Sequence, residues 1–206
     1  MKVTTLISAI AITAMSFSAF AQKKADAAAT KPSPAGKYSL DASHSKVGFE
    51  IPHLVISTVE GRFGSFTGEF EMGEKVSSSK VTASVDISSI DTANADRDTH
   101  LKSADFFDAA KHPKMTFTSK SITGSFESFK MTGDLTIKGK TKSVVFDGKF
   151  LGNVVDGYNN TKAAFTATTK ISRKDFGLTW SKAVEAGPVV GDEVTITLKI
   201  QGAKNK

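Results

Sequence analysis

The sequence predicts an all-β protein in which antiparallel strands follow one another as a meander. Three observations predict it. Apolar residues recur at every second position in segment after segment, as they do along a strand with one buried face. Turn-forming residues fall between those segments: Gly73, Gly124, Lys138-Gly139, Asp156-Gly157 and Gly191-Asp192. No strand-helix-strand rhythm is present, so a parallel sheet with crossover helices is not expected.

The elements can be justified in order. "MKVTTLISAIAITAMSFSAFAQ" carries Lys2, an apolar run from Leu6 to Met15 and then Ala19-Phe20-Ala21. That is the order of a secretory signal peptide, residues 1–21, with cleavage expected after Ala21. The run is shorter than the ~20 apolar residues of a spanning helix. The chain has no Cys, hence no disulfide framework and no thiol for a lipid anchor at the cleavage site. The expected compartment is the bacterial periplasm, with secretion as the alternative. Residues 22–37, rich in Ala, Lys and Pro, read as a flexible linker. One domain follows over 38–206, long enough to bury a single core without covalent staples.

Within it, "KVGFEI" places Val47, Phe49 and Ile51 on one face. "FTGEFEM" does so with Phe66, Phe70 and Met72, and "VTASVDI" with Val81, Ala83, Val85 and Ile87. "FKMTGDLTI", "VVFDGKF" and "VTITLKI" continue the pattern through Met131, Leu135, Val144, Phe146 and Val194 to Ile200. Alternation stops in "DRDTHLKSADFFDAAKHP", residues 96–113. There, Ser103 or Asp105 is a plausible N-cap, good helix formers follow, and Pro113 ends the run, so a short helix is expected over "SADFFDAAKHP".

Two architectures fit such strands: a sandwich of two sheets, or one sheet curled into a barrel. Glycines in strand-like segments (Gly48, Gly64, Gly68, Gly133, Gly148) favour the barrel, because strand Gly marks bends, bulges and close approaches. About eight strands can either fill their own interior or hold one small ligand. The inward set is Phe, Met and aliphatic residues, which give apolar area without a polar handle. Periodicity does not separate a filled core from a lined channel.

The stretches "YSLDASHSKVGFEIPH", "EGRFGSFTGEF", "IDTANADRDTHLKSADFFDAAKHPKMTFTS", "GDLTIKGKTKSVVF", "ISRKDFGL" and "VGDEVTITLKI" resemble, in order, the successive motifs of the YceI-like family, from residue 38 to residue 200. Asp91 to Phe117 is the most specific stretch. Lys102 stands where Arg is more usual in the family, which keeps the charge and loses the bidentate fork. The resemblance implies an extended, lipocalin-like antiparallel β-barrel with one or two short helices. It also implies a periplasmic protein that holds an isoprenoid, polyprenyl or quinone-type, or a similar long amphiphile in an apolar channel, for transport, storage or scavenging. Family members are often homodimers. No catalytic activity belongs to the family as a whole.

On this reading the candidate channel lining is Phe49, Phe66, Phe70, Val85, Phe117, Met131, Leu135, Phe146 and Phe165. The candidate mouth, lid or head-group residues are Arg97, His100, Phe106, Phe107 and Arg173. Phe106 and Phe107 are expected to cover one barrel opening. Arg97 is expected to pair with Asp96, Asp98 or a distant carboxylate and latch the preceding loop. This role is preferred to direct head-group contact, because long charged side chains usually face solvent. Arg173 and Asp175 are expected to fasten a turn, with Phe176 and Leu178 joining the interior.

Other functions have less support. A hydrolase needs a nucleophile, a base and an orienting group within reach, and no Ser lies in a nucleophile elbow. No catalytic residue is assigned. His44, His53, His100 and His112 show no metal-ligand spacing, and no metal or cofactor is assigned beyond a bound isoprenoid lipid. Formal net charge is +6, and loss of Lys2 with the leader leaves +5. The Lys residues are spread out and Tyr and Trp are scarce, so no nucleic-acid partner is expected; contact with membranes is expected to be transient. The alternative function is a periplasmic stress-response or redox-accessory protein, with a filled barrel or a His/Asp/Arg site.

Overall fold

The computed structural model describes residues 35–184 and 187–206; the expected leader and nearly all of the expected linker lie outside the described residues. The strands are β1 (Gly36–Leu40), β2 (Lys46–His53), β3 (Ser57–Phe63), β4 (Phe66–Met72), β5 (Lys80–Asp86) and β6 (Ile90–Asp91). Helix α1 (Ala95–Lys102) follows, then β7 (Lys114–Gly124), β8 (Phe129–Ile137), β9 (Lys140–Val155) and β10 (Thr161–Ser172). A two-residue pair, β11 (Ala183–Val184) and β12 (Gly187–Pro188), precedes β13 (Glu193–Lys204).

Neighbouring strands run in the order β1-β4-β5-β7-β8-β9-β10-β13, and β13 returns to β1, so eight antiparallel strands close a barrel. β13 lies against β10 from Glu193 to Ala203 on one side. On its other side it is shared: Thr195 to Lys199 pair with β2, and Gly202 to Lys204 pair with β1. β2, β3 and β6 therefore extend the wall beyond the ring at one end. Apolar side chains point inward, with Tyr38, Phe70, Met131, Phe146 and Ile200 buried. Lys, Asp, Glu and Thr dominate the outside, the reverse of a membrane-spanning barrel.

Local chemistry explains the register. Lys138 and Gly139, at φ 48° and 72°, form the tight turn between β8 and β9. Phe129 pairs with Gly148 across β8 and β9, and its ring covers the space a side chain would take: a Cβ on Gly148 would lie 2.5 Å from it. Gly133 is likewise covered by Phe117. Aromatic rings laid over glycines let the sheet curl while its inner face stays apolar. Gly64 differs from expectation: it lies in the turn between β3 and β4, where its N–H donates to the Ser89 carbonyl.

The helix also differs. It occupies Ala95–Lys102, and residues 103–113 form turns instead. Asn94 is the N-cap, its side chain accepting from Arg97 N–H at 2.9 Å. After Ser103 the chain folds back: Phe107 N–H donates to Leu101 O, and Ala109 N–H to Lys102 O. Asp108 sits at φ 51°, in the left-handed region, which breaks any continuous helix through the segment.

Candidate functional site

A cavity of about 410 Å3 lies at the end of the barrel that β2 and β3 extend. One wall is Val47, Phe49, Ile51 and His53 of β2 with Val59 and Phe63 of β3. Alternation along two paired strands turns these residues to one side, and Ile51 lies directly opposite Val59. The facing wall comes from α1 and the turns after it: Asp96, Arg97, His100, Leu101, Phe106 and Phe107. The end of β10 and the segment beyond it close the third side with Ile171, Phe176, Leu178, Trp180, Val189 and Val190. The lining is overwhelmingly aliphatic and aromatic, with a few polar groups from β2, α1 and Arg173.

Hydrogen bonds fix α1 over this cavity. Thr92, buried before the helix, is gripped from two sides. Its N–H and hydroxyl both donate to Asp98 Oδ1, at 3.0 and 2.6 Å. Arg97 Nε donates to its hydroxyl oxygen at 2.8 Å and Arg97 Nη2 to its carbonyl at 2.7 Å. The partner Arg97 bonds is therefore Thr92, and not the carboxylate expected for a latch. Thr92, in the chain just before the helix, offers Arg97 two oxygens, while Asp98 already accepts from Thr92. Nearby, Arg62 bonds Asp91 from β3. The N–H of Ala93 and then Arg62 hold the Asp91 carboxyl below its ordinary range.

Arg173 fastens the other rim. It is 4% exposed. Its Nε donates to the Gly191 carbonyl at 2.7 Å, and its Nη1 to the carbonyls of Leu178 and Trp180. Burial pulls the guanidinium below its ordinary range while Asp192 pushes it back up; the ordinary value is so high that it stays a cation. Asp192, rather than Asp175, is the carboxylate at this turn: it accepts from the Ser172 hydroxyl and from Lys174 N–H. Phe176 and Leu178 are buried, as expected.

At the mouth, His100 Nε2 lies 3.0 Å from Asp105 Oδ2. Phe106 is buried with its ring 5.0 Å from that of His100 and 5.1 Å from that of Trp180. Phe107 meets Phe63 edge-on at 6.2 Å. All the candidate mouth residues, Arg97, His100, Phe106, Phe107 and Arg173, are brought together on this one cavity.

The candidate lining divides. Phe49 lies on the large cavity. Phe66, Phe70, Val85, Phe117, Met131, Leu135, Phe146 and Phe165 pack inside the ring around smaller voids of about 70 and 30 Å3. Val47, Met115 and Ile196 line both the large cavity and the larger of these voids, so they form the wall between them. The sequence reading missed Val59, Leu101, Trp180, Val189 and Val190 as lining. Of these, Val59 alternates with Gly61 and Phe63 and was open to the period-two argument; Trp180 and the two valines lie in irregular chain. Among the described residues no three His, Asp or Glu gather as a metal site.

A closed antiparallel barrel with an apolar cavity at one end, roofed by a helix and aromatic turns, defines a lipocalin-like class of β-barrel proteins. The profile of the YceI-like domain matches residues 38–202, and the protein YceI of Escherichia coli O157:H7 is 37% identical over 175 residues, covering 84% of this chain and 89% of that one. The chain belongs to the YceI-like family. The crystal structure of the Campylobacter jejuni YCEI protein is similar at a TM-score of 0.66 and 33% identity, over 81% of this chain and 97% of that one. A polyisoprenoid binding domain from Saccharophagus degradans shares the fold, with a TM-score of 0.61 at 15% identity over 82% of this chain and 98% of that one.

Proposed function

We propose that this protein binds a long amphiphilic lipid of the isoprenoid class and carries, stores or scavenges it in the periplasm. The observation that carries the reading is the apolar cavity of about 410 Å3 beneath α1. Its volume falls in the range of small-molecule sites, roughly 300–1,000 Å3, and its mostly apolar wall with a few placed polar groups is their usual make-up. The solved polyisoprenoid binding domain of the same fold adds the ligand class, and the leader at residues 1–21 adds the compartment.

Energetics define the task. Each methylene moved out of water contributes ~0.8 kcal/mol. A chain of tens of carbons would then pass the practical affinity ceiling of about −20 kcal/mol. The competitor is therefore the bilayer, and the cavity needs only to match it as an apolar phase. A Phe, Met and aliphatic lining does this without chemical selectivity. The polar head of the lipid meets His100 at the rim, beside Arg97, which is bonded to Thr92. Arg173 is committed to backbone carbonyls and serves the rim's shape. Val47, Met115 and Ile196 are the residues a longer tail displaces to enter the barrel interior. The role is binding, and no residue is given a catalytic part.

The test is organic extraction of the purified mature protein followed by mass spectrometry. An isoprenoid recovered in near-stoichiometric amount is the expected result. Protein that yields no lipid, and whose single tryptophan, Trp180, gives no fluorescence change when titrated with a quinone, would refute the reading.

A further inference from the structure

The turn between β2 and β3 is built against the usual chemistry of hairpins. Its three residues are Leu54, Val55 and Ile56. Leu54 and Val55 lie at φ 52° and 67°, both in the left-handed region. Such positions favour Gly, Asn or Asp, and a β-branched residue there is strained. Val55 is nevertheless 67% exposed and Ile56 90% exposed. A strained backbone thus holds aliphatic side chains in solvent, where they do nothing for the core. Strain of this kind marks a functional position when the side chain it carries has work outside the fold.

The tip also adjoins the mouth of the cavity. His53, the residue before it, lines the cavity and bridges to Val190. Leu54 N–H donates to the carbonyl of Val189, a second lining residue, and Val189 N–H donates to that of exposed Lys182. Exposed Lys182 thus belongs to the same edge of the mouth, two backbone hydrogen bonds from Leu54. A three-residue tip is too small for a stable protein interface, which takes about 800 Å2 from each partner. Two exposed aliphatic side chains on an edge that carries a lysine, in a chain of formal net charge +6, suit the surface of an anionic bilayer, where apolar tips enter the acyl boundary and Lys meets head groups.

We propose that the Leu54–Ile56 tip is a membrane-docking wedge that sets the cavity mouth against a phospholipid bilayer. The proposal rests on the lipid-binding reading above, and it names where the lipid enters and leaves.

The experiment uses the mature protein and vesicles of phosphatidylethanolamine and phosphatidylglycerol. Val55→Asn with Ile56→Ser places a residue suited to the left-handed region in the turn. This variant is expected to melt at or above wild type and to sediment with vesicles at least about tenfold more weakly, as follows from losing two aliphatic anchors. Val154→Ser with Val155→Ser alters exposed aliphatic residues on the β9–β10 hairpin, at the opposite end of the barrel, and is expected to sediment as wild type does. Undiminished sedimentation of the tip variant, an equal loss in the β9–β10 variant, or a wild type that ignores vesicles overturns the proposal. So does a tip variant that only converts a wild-type dimer to monomer. Extraction and quinone titration separate the two readings: protein that binds lipid yet ignores vesicles overturns docking alone, and protein that neither yields lipid nor responds to a quinone overturns both.

Discussion

His100 and Trp180 meet at right angles, ring centroids 5.1 Å apart and planes at 90°. His100 belongs to α1 and Trp180 to the segment after β10, so this contact joins the two rims of the cavity. Asp105 holds the histidine from one side, and Arg173 holds the Trp180 carbonyl from the other.

Trp180 therefore reports on the site. Trp180→Ala opens the joint between the rims and is expected to speed lipid release about tenfold, the worth of one lost aromatic contact. Stopped-flow transfer of a fluorescent isoprenoid to acceptor vesicles measures it.

Phe106 and Phe107 line the cavity between those rims, and the proposed role for them is a cover. Replacing both by Ala is expected to speed exchange further, or to leave the purified protein without lipid, while far-UV circular dichroism keeps its strand signature. A variant that unfolds would assign the pair to the core.

The cavity and the barrel interior should respond differently to added bulk. Val59→Trp places an indole in the cavity of about 410 Å3 and is expected to melt close to wild type while carrying little lipid. Ala83 faces a void of only about 70 Å3, and a Cβ on Gly68 would already lie 3.4 Å from its own. Ala83→Trp is expected to destabilise by ~1–3 kcal/mol or more. Phe146→Ala, in the packed region, should cost ~3–5 kcal/mol. Thermal and urea melts with lipid extraction on the same samples give the comparison.

Arg173→Lys keeps the charge and loses the fork. A single ammonium cannot serve Gly191, Leu178 and Trp180 with the same geometry. Leaving one buried carbonyl unpaired costs ~1–3 kcal/mol, and a loss of that size is expected in urea unfolding, with a red shift of Trp180 emission as the rim loosens.

Asp41 sets an acid limit. The Ser43 hydroxyl, with His44 and Gln201, holds its carboxyl down from 3.8 to about 2. A group depressed in the folded state stabilises above its unfolded value, and that stability is lost as pH falls through the folded value. Between about pH 4 and pH 2 the protein should lose a small part of its stability through this group, cut by solvent screening to about 1 kcal/mol or less. Asp41→Asn should flatten that part of the melting-temperature profile.

The barrel was legible because its strands alternate: Val47, Phe49 and Ile51, or Met131, Gly133 and Leu135, show their buried face directly. The helix was not. "ADRDTHLK" has no apolar stripe and no residue fully buried, and its place is set by Asn94 and by the grip on Thr92, which only folding brings together. "SADFFDAAKHP" contains good helix formers, but the bonds of Phe107 and Ala109 back to Leu101 and Lys102 override that propensity. The cavity was half legible. Its mouth residues stood out as a break in alternation, whereas its position depends on β13 being shared between β1 and β2, a long-range pairing that no local pattern records.

That sharing governs how the chain can fold. Among the described residues β13 is the strand that joins β10 to both β1 and β2, and Ser39 bonds Asn205 across 166 residues of chain. Until β13 docks, β10 and β2 present open edges, and unpaired edges recruit other chains. Closure by so distant a strand pays its loop entropy late, so folding should be slow for a protein of this size. A period of vulnerability to aggregation is thus written into the topology, and a helper that shields strand edges would act most usefully just before β13 arrives.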